Sequence, residues 1–127
     1  MPKQIINTAK APAPIGPYNQ AVKAGDLLFV SGQIPIDPLT NELITGSIKD
    51  EPHQSMKNIQ AILTVAGLSF EHIVKTSIFI KDMNNFAAIN EVYAGYFSSN
   101  FPARETVEVA RLPKDVRVEI SVIASGE

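Results

Sequence analysis

Arg104-Glu105-Thr106-Val107-Glu108-Val109-Ala110 and, after a break at Leu112-Pro113-Lys114-Asp115, Val116-Arg117-Val118-Glu119-Ile120-Ser121-Val122-Ile123-Ala124 read as two β-strands. Side chains on a strand alternate between its two faces, so Val116, Val118, Ile120 and Val122 point one way and Arg117, Glu119 and Ser121 the other. In the first strand Val107 and Val109 share a face, opposite Arg104, Thr106 and Glu108. Closing the two as a hairpin with the valines coincident predicts that the polar sets also meet on one face. An arginine, a threonine hydroxyl and carboxylates would then stand together on a rigid sheet, a platform on which a small anion is held.

Outward from that pair, Ile73 to Lys81 is the clearest strand, β-branched and charged only at its flanks. A helix is expected over Ser47 to Ala66. It begins either at Ser47, capped with Asp50 as a box partner, or nearer Pro52, which suits a first turn. Met56, Ile59, Leu63 and Ala66 share one of its faces, and Gly67 stops it. Asn84 or Asn85 is expected to cap a second helix running to about Phe97. Its stripe of Phe86, Ile89, Tyr93, Tyr96 and Phe97 reads as core packing. Near the amino terminus, Lys3 to Ile6 is a short strand and Ala11 to Pro17 a stiff proline-rich connector. Tyr18 to Val22 and Leu27 to Ser31 are strands turned at Ala24-Gly25-Asp26, and Gly32 is expected to break the second of them. Asp37 to Glu42 is turn chemistry. The order β-β-β-α-β-α-β-β predicts an α+β fold, a single mostly antiparallel sheet with two helices on one face. No helix remains to cover the other face, so self-association is expected.

At 127 residues, 45% hydrophobic and 19% charged, with no repeat or linker, the chain reads as one globular domain over 1–127. A net charge of −2 and a pI of about 5.7 argue against a dedicated nucleic-acid surface. No stretch has the length of a membrane span or the layout of a secretion signal, so a cytoplasmic location is the default expectation. The lack of cysteine excludes disulfides, thiolate catalysis and sulfur-ligated metals. His53 and His72 share no ligand spacing and read as surface residues, so no metal is expected.

Arg104 and Glu119 carry the chemical interest. By pattern alone, Arg104 is an exposed arginine paired with Glu108 or Glu119, and Glu119 a solvated carboxylate. The functional reading uses arginine's planar fork, which grips a carboxylate through two parallel hydrogen bonds as lysine cannot. It sets Glu119 to orient or activate a water in a partly desolvated pocket.

Beyond these patterns, Ile15-Gly16-Pro17-Tyr18, Val30-Ser31-Gly32-Gln33-Ile34-Pro35, Val74-Lys75-Thr76, Phe101-Pro102-Ala103-Arg104, Val107 to Asp115 and Val118-Glu119-Ile120 resemble the Rid (YjgF/YER057c/UK114) family in order and spacing. The likeness runs from about Ile15 to Ala124. It implies a chorismate-mutase-like fold and a homotrimer with sites in the clefts between subunits. It also implies hydrolysis of 2-aminoacrylate and 2-aminocrotonate to 2-oxo acids and ammonia without metal or cofactor. A functional link follows to the pyridoxal-phosphate-dependent dehydratases that release these enamines and imines. Arg104 matches the family arginine for the substrate carboxylate, and Glu119 the glutamate near the catalytic water. Tyr18, Ser31, Gly32 and Asn90 match positions lining the same cleft.

Two positions depart from the family pattern. Thr106 stands where many members have cysteine; its hydroxyl preserves hydrogen bonding but supplies no thiolate. Glu105 stands where serine or threonine is usual and is expected to face aside from the ligand. Two rival readings are a non-catalytic 2-oxo-acid-binding regulatory or chaperone-like module, and a tautomerase using Pro2 as a terminal base, which the rest of the chain does not resemble.

Overall fold

The computed structural model describes residues 2–126. Its elements are β1 (Gln4–Ile6), β2 (Ala21–Ala24), β3 (Leu27–Gln33), β4 (Ile36–Asp37), β5 (Glu42–Leu43), α1 (Asp50–Val65), β6 (Ile73–Ile80), α2 (Phe86–Ala94), β7 (Ala103–Glu108) and β8 (Val118–Ser125). Six strands form one sheet in the order β1-β2-β3-β8-β6-β7, and β4 pairs with β5 in a small separate hairpin. Every pairing in the main sheet is antiparallel except β6 with β7. The fold is therefore α+β with a mostly antiparallel sheet, as the sequence predicts.

Both helices pack on one sheet face. Met56, Ile59, Ile62 and Leu63 of α1 and Ile89 and Tyr93 of α2 share a buried cluster with Leu28, Ile78, Ile80, Val118, Ile120 and Val122. The opposite face carries Leu27, Phe29 and Val107, all substantially exposed. Ser47 and Asp50 make the reciprocal hydrogen bonds of a capping box across the start of α1, Asp50 N–H to Ser47 Oγ and Ser47 N–H to Asp50 Oδ2, both 3.4 Å. The helix ends in a Schellman closure: Leu68 N–H donates to Leu63 O and Gly67 N–H to Thr64 O, with Gly67 at φ 78°.

The carboxy-terminal hairpin does not form. β7 and β8 are both neighbours of β6, which lies between them. A β6–α2–β7 crossover delivers β7 parallel to β6, and residues 109–117 then carry the chain back over β6 to β8. That connection is too long for a tight turn and is anchored instead by its own small core, Leu112 and Val116 against Ile34 and Ile36. The alternation holds within β7 and β8 with its relative phase inverted, but Val109 and Val116, expected on those strands, lie in the connection, Val116 in its small core and Val109 against it. Ile78 pairs with both Thr106 and Ile120, and Phe79 with both Val107 and Glu119. Arg104 and Thr106 thus share the helix-covered side with Val118, Ile120 and Val122, whereas Val107 shares the open side with Glu119.

Three smaller expectations change. Gly32 does not end β3, which runs on to Gln33 through an irregularity between Val30 and Gln33. Tyr18 lies in the loop before β2, not on a strand. The second helix is preceded by a 3₁₀ turn, Met83–Asn85, whose cap is Asp82 accepting from Asn84 N–H at 2.9 Å; Asn85 holds the N-cap position of α2 but makes no side-chain capping hydrogen bond, and α2 stops at Ala94.

Candidate functional site

The sequence-predicted site residues fall into two groups on opposite sides of the sheet. One group comprises Arg104, Thr106 and Asn90. Arg104 rises from edge strand β7 toward α2, where its Nη1 donates to Asn90 Oδ1 at 2.6 Å. Its Cζ lies 5.2 Å from the centre of the Tyr93 ring and 5.8 Å from that of Phe86. Asn90, Tyr93, Ala94, Phe101, Pro102 and Arg104 together line an open cleft. Thr106 stands two residues along the same strand face. Its Oγ1 is buried and has no hydrogen-bond partner.

The expected pairing of Arg104 with Glu108 or Glu119 is absent. Glu108 accepts instead from Met83 N–H at 2.7 Å, and Glu119 faces the other way. Of the three arginines, Arg111 is paired with Asp115 and Arg117 with the buried Glu51. Among the described residues Arg104 has no carboxylate partner.

The second group comprises Glu119, Gly32, Ser31 and Tyr18. Glu119 is half-buried on β8, and desolvation raises its carboxyl above the ordinary 4.5. It lies against the bare backbone of Gly32, so closely that a Cβ there would stand 2.5 Å from Oε2. Ser31 Oγ donates to Asn19 O at 2.7 Å, and Tyr18 Oη accepts from Ile15 N–H at 3.2 Å. Tyr18 and Gly32 share a small cleft with Ile15, Pro12 and Ile34. The wall of that cleft is pinned by buried Gln20, whose carboxamide donates to Thr8 O, Ala11 O and Pro12 O. Glu105 faces aside from Arg104, as expected, with its carboxylate beside Lys75 Nζ and Ser77 Oγ.

Sequence reasoning missed Gln20, Phe86 and Tyr93. The signal for the last two was present: Phe86, Asn90 and Tyr93 are spaced four and three residues apart, one stripe of α2 facing β7. His53 and His72 bind separate partners, the Tyr96 hydroxyl and Ser69. Among the described residues no three His, Asp or Glu side chains cluster as a metal site, and no helix is long and apolar enough to cross a membrane.

The chain therefore presents an arginine without a carboxylate partner in an open cleft on one side of the sheet, and a desolvated carboxylate against bare backbone on the other. Comparison with known proteins gives the fold its family. A family model described as endoribonuclease L-PSP matches residues 8–125, and the chain belongs to this family, the Rid (YjgF) proteins. It is 56% identical over 125 residues to a RutC family protein of Pyrococcus horikoshii, covering 98% of this chain and 99% of that protein. It is 46% identical over 122 residues to the human 2-iminobutanoate/2-iminopropanoate deaminase, covering 96% and 89%. Among solved structures, E. coli TdcF with bound serine superposes with a TM-score of 0.93 at 46% identity, covering 98% of this chain and 99% of that one.

Proposed function

We propose that this chain hydrolyses short enamines and imines of 2-oxo acids, 2-aminoacrylate and 2-aminocrotonate with their 2-imino tautomers, to 2-oxo acids and ammonia. The observation that carries the reading is Arg104, oriented by neutral groups and free of any carboxylate of its own among the described residues. An arginine whose fork is fixed by rings and an amide, with no carboxylate beside it, is suited to docking a planar carboxylate. Relatives named as imine deaminases at 46% and 50% identity support the same chemistry.

The reaction needs both groups of residues, and in a single chain they are on opposite faces. A homotrimer of chorismate-mutase-like units resolves this, with Arg104, Thr106 and Asn90 of one copy meeting Tyr18, Ser31, Gly32 and Glu119 of another. The exposed Leu27, Phe29 and Val107 on the open sheet face support such docking.

In the completed cleft the substrate carboxylate docks on the Arg104 fork, with the unpartnered Thr106 hydroxyl as a further donor. The enamine tautomerises to the imine, whose C2 is the electrophile. Glu119 takes a proton from a water as its oxygen bonds to C2 and the C=N π pair moves to nitrogen, which takes up that proton to give the carbinolamine. The carbinolamine then loses its hydroxyl proton as C2=O forms and the C–N bond breaks, and nitrogen, gaining that second proton, leaves as ammonia. Burial lifts Glu119 toward the working pH, where a carboxylate exchanges protons most effectively. The reaction would occur in the cytoplasm, beside the pyridoxal-phosphate-dependent dehydratases that supply the substrate.

The test is to add trace protein to a serine or threonine dehydratase reaction and time 2-oxo acid release. Acceleration supports the enzyme. Binding of 2-oxobutanoate with no acceleration would replace it with a non-catalytic sensor.

A further inference from the structure

Arg104 is a long, exposed side chain on an edge strand, yet its guanidinium is held between rings. Tyr93 and Phe86 place their centroids 5.2 Å and 5.8 Å from its Cζ, inside the range of about 6 Å over which a ring face attracts a cation. The Tyr93 ring is fixed in turn. It is 4% exposed, and its hydroxyl donates to Thr76 Oγ1 at 2.9 Å. Thr76 is fully buried and is the residue paired with Arg104 across the β6–β7 ladder. The anchor of the ring and the root of the arginine therefore stand side by side on one face of two neighbouring strands. Asn90, one turn earlier on α2, takes the Nη1 hydrogen bond.

We infer that Tyr93, assisted by Phe86, is a positioning residue that sets the plane of the Arg104 guanidinium. The usual way to immobilise an arginine is a carboxylate, as with Arg111–Asp115 and Arg117–Glu51 in this same chain. A carboxylate at Arg104 would cancel the charge and occupy the N–H groups that an anionic ligand needs. Ring faces and an amide oxygen fix the fork without neutralising it. Of the guanidinium's five N–H donors, one goes to Asn90 and the others stay available for a planar carboxylate. The ligand role rests on the function proposed above, whereas the ring contact is measurable without substrate.

The experiment uses full-length protein and isotope-edited NMR of the Arg104 Nε–H and δ-methylene signals, with calorimetric titration of 2-oxobutanoate. In the parent these signals are displaced by the ring currents. Tyr93→Phe keeps the displacement and binds 2-oxobutanoate within about threefold of the parent, because the ring stays. Tyr93→Leu returns the signals toward those of an exposed arginine and weakens binding about five- to thirtyfold. In turnover that loss appears in KM more than in kcat, which a merely loosened fold would not produce. Phe86→Leu, at a half-buried position, does the same to a smaller degree and carries the test if Tyr93→Leu does not fold. Unmoved Arg104 signals in the leucine variants would overturn the inference, as would moved signals with unchanged 2-oxobutanoate affinity. A parent that binds no 2-oxobutanoate, with the signals still moving on substitution, would leave the cradle standing and remove the proposed 2-oxo-acid site.

Discussion

The carboxylate of Glu119 occupies the space that a side chain at position 32 would take: a Cβ on Gly32 would lie 2.5 Å from Oε2 and 2.7 Å from Cδ. The glycine is required by this approach and not by its own backbone, which is outside the left-handed region. Gly32→Ala therefore costs the fold little, since a flexible carboxylate can move aside. It costs the site more, because a catalytic group displaced by about 1 Å can lose roughly a hundredfold in rate. The expected outcome is a melting temperature close to the parent's with deaminase turnover down by about that factor. Full activity in the alanine variant would show that the position of Glu119 is unimportant.

Thr106 carries a buried hydroxyl without a partner, so its worth differs between the empty and the occupied protein. Thr106→Val keeps the shape and removes an unsatisfied polar group, so stability is expected to be unchanged or slightly higher. Binding of a 2-oxo acid loses one hydrogen bond to a charged group, about 1.5–3 kcal/mol, or roughly ten- to 150-fold. Thermal melts and 2-oxobutanoate titrations of the same samples check both signs. Thr106→Cys, with a weaker donor, is expected to fall between valine and the parent.

Arg104→Ala is expected to abolish deamination with folding intact, since no ion pair of the fold is lost. Arg104→Lys keeps the charge but not the fork, and Asn90 Oδ1 then competes for a point-like ammonium; recovery of less than about a tenth of parent kcat/KM is expected. Equal activity of lysine and arginine variants would show that bidentate geometry is irrelevant.

What the sequence made legible was periodicity: the alternation within β7 and within β8, the buried stripe of α1 and the stop at Gly67 are as read, whereas Val109 and Val116, expected on those strands, lie beyond them at the small core of the connection. What it concealed was adjacency. Alternation tells which residues share a face of a strand but not which strand lies beside it, so Arg104 and Glu119 were expected together. Insertion of β6 between their strands puts them on opposite faces. The helical stripe of α2 was likewise legible, but an aromatic facing a core and one facing an arginine have the same period. Tyr93 does both. Glu119's pairing with Gly32 had a signal in the glycine, read as a strand stop when it marked a close approach.

A homotrimer is expected in dilute solution, because each group of site residues is incomplete alone and the open sheet face exposes Leu27, Phe29 and Val107. Light scattering across micromolar concentrations checks this. Phe29→Glu, which puts charge into that face, is expected to shift the mass toward monomer and to abolish activity together. An active monomer would separate the chemistry from assembly.

Glu119→Gln tests chemistry and stability with opposite signs. The change is nearly isosteric and removes basicity, so turnover of dehydratase-generated 2-aminoacrylate is expected to fall by about a hundredfold or more. Affinity for 2-oxobutanoate stays the same or improves, because a negative charge leaves an anion site. Stability follows from burial. Desolvation raises the folded-state carboxyl above its unfolded value, so the folded protein binds the proton more tightly. That contribution is fully present below the unfolded pKa and is lost as pH rises through the folded one. At neutral pH the parent bears the cost of a half-buried charge that glutamine lacks, and the variant is expected to melt higher. The advantage shrinks as pH falls from the folded value to the unfolded one and is smallest below the latter. Because Arg104 is on the other sheet face, no lost ion pair within the chain masks the effect. Melting curves from pH 4 to 8 beside initial rates decide the matter: a variant that is slower and also less stable at pH 7 would make Glu119 a structural group.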